Sequence, residues 1–338
     1  IIAALGICFS YQILLVFRVP SALLEAADIY LKIMFIGVIP TFAYNALTNI
    51  LRGMGDSKTP TYILIVAALL NIVLDILFIK AFGMGVAGAA FATVLSQLLS
   101  FIVCMVYMKI HYRSLFINVL HLQFDKAELK KSLKIGTPAM IQQVFVSVGF
   151  MSLQFLINGF GTDCMAAYTA ASKVDAFAEM PALNLGQAMT NFTAQNLGAK
   201  RKDRVLKGGK YALVMGIAVS ACISVVIVLF PSVFISIFNR DTSVLDIGNS
   251  YLKIVPAFYI IFAAMQVLNG LLLGYGKSFV PMIASICSLC CLQVPVAIIL
   301  SGTKLGYNGI WIAAPIGWFG GLLIRAIYFY HVSKKEKQ

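Results

Sequence analysis

An apolar run from Thr59 to Ile79 constrains the fold of this chain more than any other feature. It lies between Lys58 and Lys80 and is long enough for a helix that crosses the hydrocarbon core of a bilayer. One ionisable residue, Asp75, lies inside it, with Asn71 one helical turn earlier on the same face. A carboxylate at such a depth costs about 2.5–3.5 kcal/mol and usually faces a cavity or a partner. Asp75 and Asn71 are therefore candidates either to bind a cation or proton or to form a structural hydrogen bond between helices.

The composition indicates that the rest of the chain shares this environment. Hydrophobic residues make up 60% of the 338 and charged residues 12%, whereas a soluble domain has about a quarter charged residues. The net charge of +13 is carried mainly by short loops between apolar runs, so we expect a membrane protein that binds no nucleic acid. The 7 cysteines and 3 histidines form no ligand cluster, and we expect no cofactor.

Ten apolar segments follow one another along the chain, each of about the length of a membrane-spanning helix. Only helices and closed barrels span lipid, and these segments lack the alternation of barrel strands, so we predict an all-α polytopic membrane protein. Lys and Arg are concentrated in alternate loops, which predicts a cytoplasmic carboxy terminus in the inner (plasma) membrane. The segments are Ile1–Phe17, Ile29–Leu51, Pro60–Ile79, Val86–Met108, Ile135–Phe155, Ala166–Ala194, Tyr211–Phe230, Tyr251–Leu273, Val280–Leu300 and Ile310–Tyr330.

An internal repeat relates the two halves of the chain. Tyr30-Leu-Lys-Ile33 recurs as Tyr251-Leu-Lys-Ile254, at an offset of 221 residues. Both copies lie at the outer ends of descending helices, which predicts two bundles of the same orientation, as in transporters built from parallel repeats. Six single residues also match at this offset without a gap: Gly53, Gly55, Ser57, Pro60, Gly85 and Gly88 correspond to Gly274, Gly276, Ser278, Pro281, Gly306 and Gly309.

The repeat predicts the domain boundaries. Residues 1–110 form an amino-terminal lobe, which we expect to be truncated because about two helices of the repeat unit would lie upstream of Ile1. Residues 111–134 form a cytoplasmic linker, in which Asp125-x-x-Glu128 begins a short basic amphipathic helix that ends at Lys134. Residues 135–338 form the carboxy-terminal lobe. We therefore expect two pseudo-symmetric six-helix bundles, with about ten of the twelve transmembrane helices present.

Three stretches resemble the multidrug and toxic compound extrusion (MATE) family of transporters. The resemblance covers essentially the whole chain and implies a twelve-helix fold in which the segments here are helices three to twelve. The stretches are Leu51-Arg-Gly-Met-Gly-Asp-Ser-Lys-Thr-Pro60; Asn71-x-x-x-Asp75 followed by Gly85-x-x-Gly88-Ala-Ala90-x-Ala92-Thr93-x-x-x-Gln97; and Gln195-Asn-Leu-Gly-Ala199.

The resemblance also implies a site for the coupling ion. In many bacterial and archaeal members, an acid on the first helix acts with Asn, Asp and Thr on the fifth and sixth helices to bind H⁺ or Na⁺. Asn71, Asp75 and Thr93 match the last three in type and spacing, and they are the expected ligands of any bound Na⁺. The first-helix acid would lie upstream of Ile1. Other members use acids on helices seven and ten, and the corresponding segments here contain no acid.

Seven further polar or acidic residues inside the spans are candidates to line a substrate cavity. For the amides the alternative is hydrogen bonding between helices. For Asp175 and Glu179 the alternative is a structural patch that is ion-paired with the nearby Lys173. The seven are Asn45, Asn49, Gln97, Gln142, Gln143, Asp175 and Glu179.

These features together predict a secondary active exporter that antiports amphipathic or cationic small molecules against H⁺ or Na⁺ and works as a monomer. No nucleophile–base pair lies within a loop or helix face, so we expect no enzymatic activity. The nearest alternative is a flippase for a lipid-linked saccharide, which requires a strongly basic cavity; few mid-span cations other than Lys173 are apparent. The other alternative is an inactive, truncated membrane protein.

Overall fold

The computed structural model describes residues 2–16, 21–112 and 125–335, and these are almost entirely helical, with no strand among them. Within the described residues, every apolar segment lies almost entirely in one helix or in consecutive helical stretches, so the predicted all-α class is confirmed. Contacts between residues divide the chain into two compact units, residues 1–124 and residues 125–338. We call these the amino-terminal and carboxy-terminal units.

The amino-terminal unit contains four long helices within the described residues. Helix α2 packs along α4, and α4 also packs against α3. Helix α3 continues into a π-helical turn, Leu77–Ala81, which begins two residues after Asp75. Tyr44, Leu51, Ile63, Cys104 and Met108 form the buried cluster that joins these helices. The helices are α1 (Ile2–Val16), α2 (Ser21–Gly53), α3 (Lys58–Ile76) and α4 (Gly85–His111).

The carboxy-terminal unit contains six long helical stretches within the part of the chain that the structure describes. Two of these stretches are interrupted: a 3₁₀ turn, Pro256–Phe258, joins α9 to α10, and a π-helical segment, Cys287–Gln293, joins α11 to α12. The helices are α5 (Lys126–Asn158), α6 (Thr162–Gly198), α7 (Lys202–Leu229), the short α8 (Pro231–Ser236), α9 (Thr242–Ile254), α10 (Tyr259–Gly274), α11 (Phe279–Ile286), α12 (Val294–Ser301) and α13 (Tyr307–Lys335).

A side chain of a neighbouring helix forms a hydrogen bond with the backbone at the Pro256 interruption. Proline has no backbone N–H, so the helix loses one of its internal hydrogen bonds there. The buried hydroxyl of Ser224, on α7, donates a hydrogen bond of 2.6 Å to the carbonyl oxygen of Pro256. A side-chain donor of this kind satisfies a backbone carbonyl oxygen at a break in a helix within lipid. The break lies between Tyr251 and Tyr259, two residues that contribute to the cavity described below.

Helices α6 and α10 approach closely at a pair of glycines. A Cβ atom added to Gly270 would lie 2.0 Å from the carbonyl oxygen of Gly186. A Cβ atom added to Gly186 would lie 2.7 Å from the carbonyl oxygen of Gln266. Small residues at a helix crossing allow backbones in lipid to pack together without an intervening side chain. The crossing therefore holds α6, which carries both candidate acids, directly against α10.

The internal repeat is confirmed in the turns that follow α2 and α10. Gly55 and Gly276 both have positive φ, 95° and 70° respectively. The backbone amide of Met54 donates to Ile50, and that of Tyr275 donates to Leu271, which are the same positions at the offset of 221 residues. The two halves therefore form the same tight turn from equivalent residues.

Seven of the helical stretches described are long and apolar enough to cross a membrane, judged by their length and composition. They include the stretch that carries Asp75, Lys58–Ala81, and the last long helix, Tyr307–Lys334. Together with the arrangement of the helices, this makes the chain a multi-pass membrane protein. The expected cytoplasmic position of its carboxy terminus stays a prediction.

The expected short helix from Asp125 to Lys134 is not a separate element. Its start is confirmed, because the carboxylate of Asp125 accepts hydrogen bonds from the backbone amides of Ala127 and Glu128, at 2.7 and 3.2 Å. The helix then continues to Asn158 through Pro138, since helices beside lipid tolerate the loss of a single backbone hydrogen bond. The division between the units accordingly falls before Asp125 rather than after Lys134, and residues 113–124 of the expected linker lie outside the described residues.

Candidate substrate cavity and coupling residues

A cavity of about 650 Å³ lies within the carboxy-terminal unit. Its wall includes residues of α5, α6, α10, α11 and α13, and we call it the carboxy-terminal cavity. The volume falls in the range of sites that enclose drug-sized molecules. Four of the residues that the sequence predicts for a substrate site line this cavity: Gln142, Gln143, Asp175 and Glu179.

Asp175 is held by two tyrosines on either side of the Pro256 break. The hydroxyls of Tyr251 and Tyr259 each donate a hydrogen bond to one oxygen of its carboxylate. Both tyrosines are buried, with 7% and 2% of their surface exposed. Hydrogen bonds to a charged acceptor offset part of the cost of removing the carboxylate from water. Asp175 is therefore a fixed carboxylate in the cavity wall.

Glu179 lies one helical turn after Asp175 on α6 and also lines the cavity. No hydrogen bond or ion pair involves its carboxylate within the described residues. Lys173 is exposed and pairs with neither acid. It precedes Asp175 by two residues and Glu179 by six, and a helix places it off the face that the two acids share. The ion-paired patch considered from the sequence is thus absent here, and Glu179 is available to a ligand.

Aromatic side chains form the wall beside these acids. Tyr168 and Trp311 are stacked, with ring centroids 5.8 Å apart, and Tyr251 meets Trp311 edge-on at 4.8 Å. Trp318, which also lines the cavity, lies 5.2 Å from Phe262 between ring centroids. Aromatic faces attract organic cations, particularly where water is excluded. Carboxylates beside aromatic rings form a wall that is suited to an amphipathic cation.

Arg325, on α13, is a second charged feature of the same cavity that sequence reasoning missed. Its side chain is buried, with 2% exposed, and it donates hydrogen bonds to neutral acceptors on α10, α11 and α13. The sequence analysis named Lys173 among the few cations inside the spans and did not single out Arg325. The available signal was a single Arg inside the apolar segment Ile310–Tyr330.

The candidate coupling residues all lie in the amino-terminal unit. The carboxylate oxygen Oδ1 of Asp75 and the amide nitrogen Nδ2 of Asn71 are buried without a hydrogen-bond partner in the described part of that unit. Thr93 donates to the carbonyl oxygen of Ala89 on its own helix, at 3.0 Å. Asp75 and Asn71 therefore both have buried polar atoms that are free to bind a ligand, and their role in coupling stays a prediction. It records no hydrogen bond that joins Thr93 to the pair.

The remaining candidates are also in the amino-terminal unit. Asn45 and Asn49 are exposed on α2. Gln97, on α4, has a buried side-chain oxygen without a partner among the described residues. None of the three lines the carboxy-terminal cavity. Their predicted role in substrate binding stays a prediction.

The chain is a multi-pass helical membrane protein. One unit contains a polar cavity with an aromatic wall, and the other contains a carboxylate inside a span that has no hydrogen-bond partner among the described residues. These features define a membrane transporter of the repeat-bundle type. The MatE family model matches residues 1–77 and 138–299 of the chain. The chain belongs to the MatE family, and the resemblance found in the sequence is confirmed.

Similar proteins of known sequence include two from Bacillus subtilis (strain 168). YoeA, a probable multidrug resistance protein, is 31% identical over 345 residues, a match that covers 100% of this chain and 74% of YoeA. YpnP, also a probable multidrug resistance protein, is 30% identical over 307 residues, covering 91% of this chain and 68% of YpnP. The probable multidrug resistance protein NorM of Thermotoga maritima is 28% identical over 323 residues, covering 93% of this chain and 68% of NorM.

Solved structures share the fold at lower identity. A crystal structure of MATE in the bent conformation superposes with a TM-score of 0.91 at 23% identity, covering 99% of this chain and 75% of that one. A MOP superfamily transporter from Pyrococcus furiosus superposes with a TM-score of 0.92 at 23% identity, covering 100% of this chain and 76% of that one. These similarities establish the helical architecture.

Proposed function

We propose that the protein exports amphipathic cationic molecules across the plasma membrane in exchange for H⁺ or Na⁺. The observation that carries the proposal is the carboxy-terminal cavity, where Glu179 lies without a hydrogen-bond partner in the described residues, beside Asp175 and an aromatic wall. A bound organic cation would neutralise a carboxylate that is costly to leave alone away from water. The names of the relatives as probable multidrug resistance proteins support export of such molecules.

Asp75 is the proposed site of ion coupling. Its oxygen Oδ1 and the nitrogen Nδ2 of Asn71 have no partner in the described part of the unit, so the Asp–Asn pair has unused hydrogen-bonding capacity inside the span. A proton or Na⁺ bound at Asp75 removes the cost of a lone charge at that depth. The π-helical turn that begins at Leu77 supports a conformational response, because such turns are common at functional sites in helices. Binding at Asp75 would thus shift the packing of α3 and promote release of the substrate outward.

The test is efflux from proteoliposomes under an imposed H⁺ or Na⁺ gradient, with the fluorescent cation rhodamine B ethyl ester as substrate. We expect Asp75→Asn to reduce gradient-driven efflux to about a tenth of the wild-type rate or less, because the amide does not titrate. Asp246→Asn, at an exposed acid on α9, is the matched control and should retain the rate. Gradient-driven efflux at the wild-type rate in Asp75→Asn would refute the coupling role.

Binding of the same probe to protein in detergent tests the cavity separately. We expect Glu179→Gln to weaken binding by about tenfold, since it removes the unpaired carboxylate from the site while it preserves side-chain size. Binding that is unaffected by Glu179→Gln would place the cation elsewhere.

The flippase alternative is less well supported by the charges in the cavity. A lipid-linked saccharide carries phosphate groups, which require a cluster of cations. The residues that line the carboxy-terminal cavity include two carboxylates, Asp175 and Glu179, and one guanidinium, that of Arg325. An inactive membrane protein, the other alternative, would give no gradient-driven efflux in the assay above.

A further inference from the structure

Arg325 is buried in a membrane span, and no described residue provides a counter-ion for it. It lies ten residues before the end of α13, or about 15 Å along a helix at 1.5 Å per residue. No carboxylate pairs with it among the described residues. A guanidinium stays protonated in proteins, so the positive charge persists there. An unneutralised charge inside a membrane protein is costly, and such residues typically mark a functional site.

The contacts of the guanidinium hold it in place and leave part of it unused. Its nitrogen Nη2 donates to Ser285 Oγ at 2.7 Å and to the carbonyl oxygen of Pro281 at 3.4 Å. Its Nη1 donates to the carbonyl oxygen of Gly321 at 2.9 Å, and its Nε donates to Asn269 Oδ1 at 3.4 Å. These contacts engage four of the five N–H groups that arginine carries. One Nη1 hydrogen and the whole positive charge remain for a ligand.

Ser285 adds a second unused donor at the same place. Its oxygen accepts hydrogen bonds both from Arg325 and from the side-chain nitrogen of Gln142, the latter at 3.0 Å. With both bonds accepted, its own hydroxyl hydrogen finds no acceptor in the described residues. Arg325, Ser285 and Gln142 all line the carboxy-terminal cavity. We call these three residues the arginine subsite.

A purely structural role for Arg325 would explain the neutral contacts but leave its charge unexplained. A glutamine or asparagine could tie α13 to α10 and α11 through carbonyl and hydroxyl acceptors without burying a cation. The acids Asp175 and Glu179 line the same cavity but form no ion pair with Arg325 within the described chain. The cavity thus contains two carboxylates and one guanidinium that do not neutralise each other by direct contact.

We propose that the arginine subsite binds the carboxylate of zwitterionic amphipathic substrates, whose cationic group lies at Asp175 and Glu179. The inference rests on the proposed function, since it adds a second contact to the cation site described there. A zwitterion neutralises both charged regions of the cavity at once, whereas a simple cation leaves Arg325 unneutralised. The protein would therefore prefer carboxylate-bearing cations to their esters. This preference distinguishes the subsite from a cavity that selects positive charge alone.

The test compares rhodamine B, which carries a carboxylate and a delocalised cation, with its ethyl ester, which is a cation only. Binding of each probe to the purified protein is followed by fluorescence polarisation in one detergent. We expect the wild type to bind rhodamine B more tightly than the ester. In Arg325→Gln the ratio of the two Kd values should shift toward the ester by about tenfold, the effect of one hydrogen-bonded charge pair. Arg240→Gln, at an exposed loop arginine, should leave the ratio unchanged.

The outcomes separate this inference from the proposed function. If the ester is bound and exported but Arg325→Gln leaves the ratio unchanged, the arginine subsite is refuted and the exporter is retained. If neither rhodamine B nor its ester is bound or exported, the proposed function fails and the inference fails with it. Should Arg325→Gln not fold, the wild-type preference decides: equal or tighter binding of the ester refutes the subsite. Arg325→Lys, which retains the charge without the planar fork, should shift the ratio less than Arg325→Gln.

Discussion

The crossing of α6 and α10 at Gly186 and Gly270 supports a quantitative prediction. In Gly270→Ala the new Cβ would lie 2.0 Å from the carbonyl oxygen of Gly186 and 3.1 Å from the Cβ of Met189. Carbon and its non-bonded neighbours normally lie about 3.5 Å apart, so the helices must separate by more than about 1 Å. Both contacts involve atoms on or next to a helix backbone, so neither can be relieved by rotating a flexible side chain. Overpacking of this kind costs about 3 kcal/mol.

Gly136→Ala is the matched control for this substitution. Gly136 is also helical, on α5, and a Cβ added there would meet nothing within 4 Å. Alanine in a helix is favoured over glycine by about 1 kcal/mol, a gain that both variants share. The two variants should therefore differ by about 3 kcal/mol, which for a unit of this size corresponds to about 6–12 °C in Tm.

The assay is thermal unfolding of the purified protein in one detergent, combined with binding of rhodamine B ethyl ester. Gly270→Ala should melt well below Gly136→Ala. It should also bind the ester more weakly, because α6 carries Asp175 and Glu179 while Tyr259 begins α10. A Tm for Gly270→Ala within about 2 °C of the control would refute the close approach of the two backbones.

Two further predictions concern the turn after α2 and its repeat. Gly55→Ala and Gly276→Ala should each destabilise the protein by about 1–2 kcal/mol, because the φ angles of 95° and 70° at these positions disfavour a side chain. Gly53→Ala is the control and should not destabilise the protein, since an added Cβ would meet nothing within 4 Å. Thermal unfolding measures the stability of all three variants. Burial raises the pKa of Asp56, but the opposing hydrogen bonds, chiefly from Thr59, hold it below its ordinary value. The stabilisation from Asp56 should therefore be complete above about pH 5 and lost as the pH falls through its lowered pKa, so the Tm difference between wild type and Asp56→Asn should shrink on acidification. A difference that grows instead would contradict the assignment.

Several features of the fold follow from short stretches of sequence. The span from Thr59 to Ile79 is predictable because lipid requires a long apolar helix whose backbone bonds are internal. The turn at Gly55 and its repeat at Gly276 are predictable because the same residues recur at a fixed offset. The helix start at Asp125 is predictable because an N-cap acts only on the next few amides. Its continuation beyond Lys134 was missed, because the charged stretch up to Lys134 and the apolar segment from Ile135 differ in composition and were predicted as separate helices.

The candidate site was predictable only in part. Asp75 and Asn71 were identified from their four-residue spacing on one helix, and the structure places unused polar atoms on both. Asp175 and Glu179 were identified in the same way, but their environment was not. The tyrosines that bind Asp175 lie 76 and 84 residues further along the chain, and no local pattern relates them to it.

The sequence by itself determined that this protein is a helical, multi-pass transporter with duplicated halves. Span length is a local property that a bilayer enforces directly, and the repeat is visible by comparing the two halves of the sequence. Only the tertiary structure decided which polar groups meet. In lipid, apolar residues can cover a helix on every side, so the hydrophobic pattern does not specify which face contacts a neighbouring helix. Packing through Gly186 and Gly270 brings α6 to α10, and α13 carries Arg325 to Ser285, 40 residues away in sequence. The opposite charges of the cavity are a product of that packing.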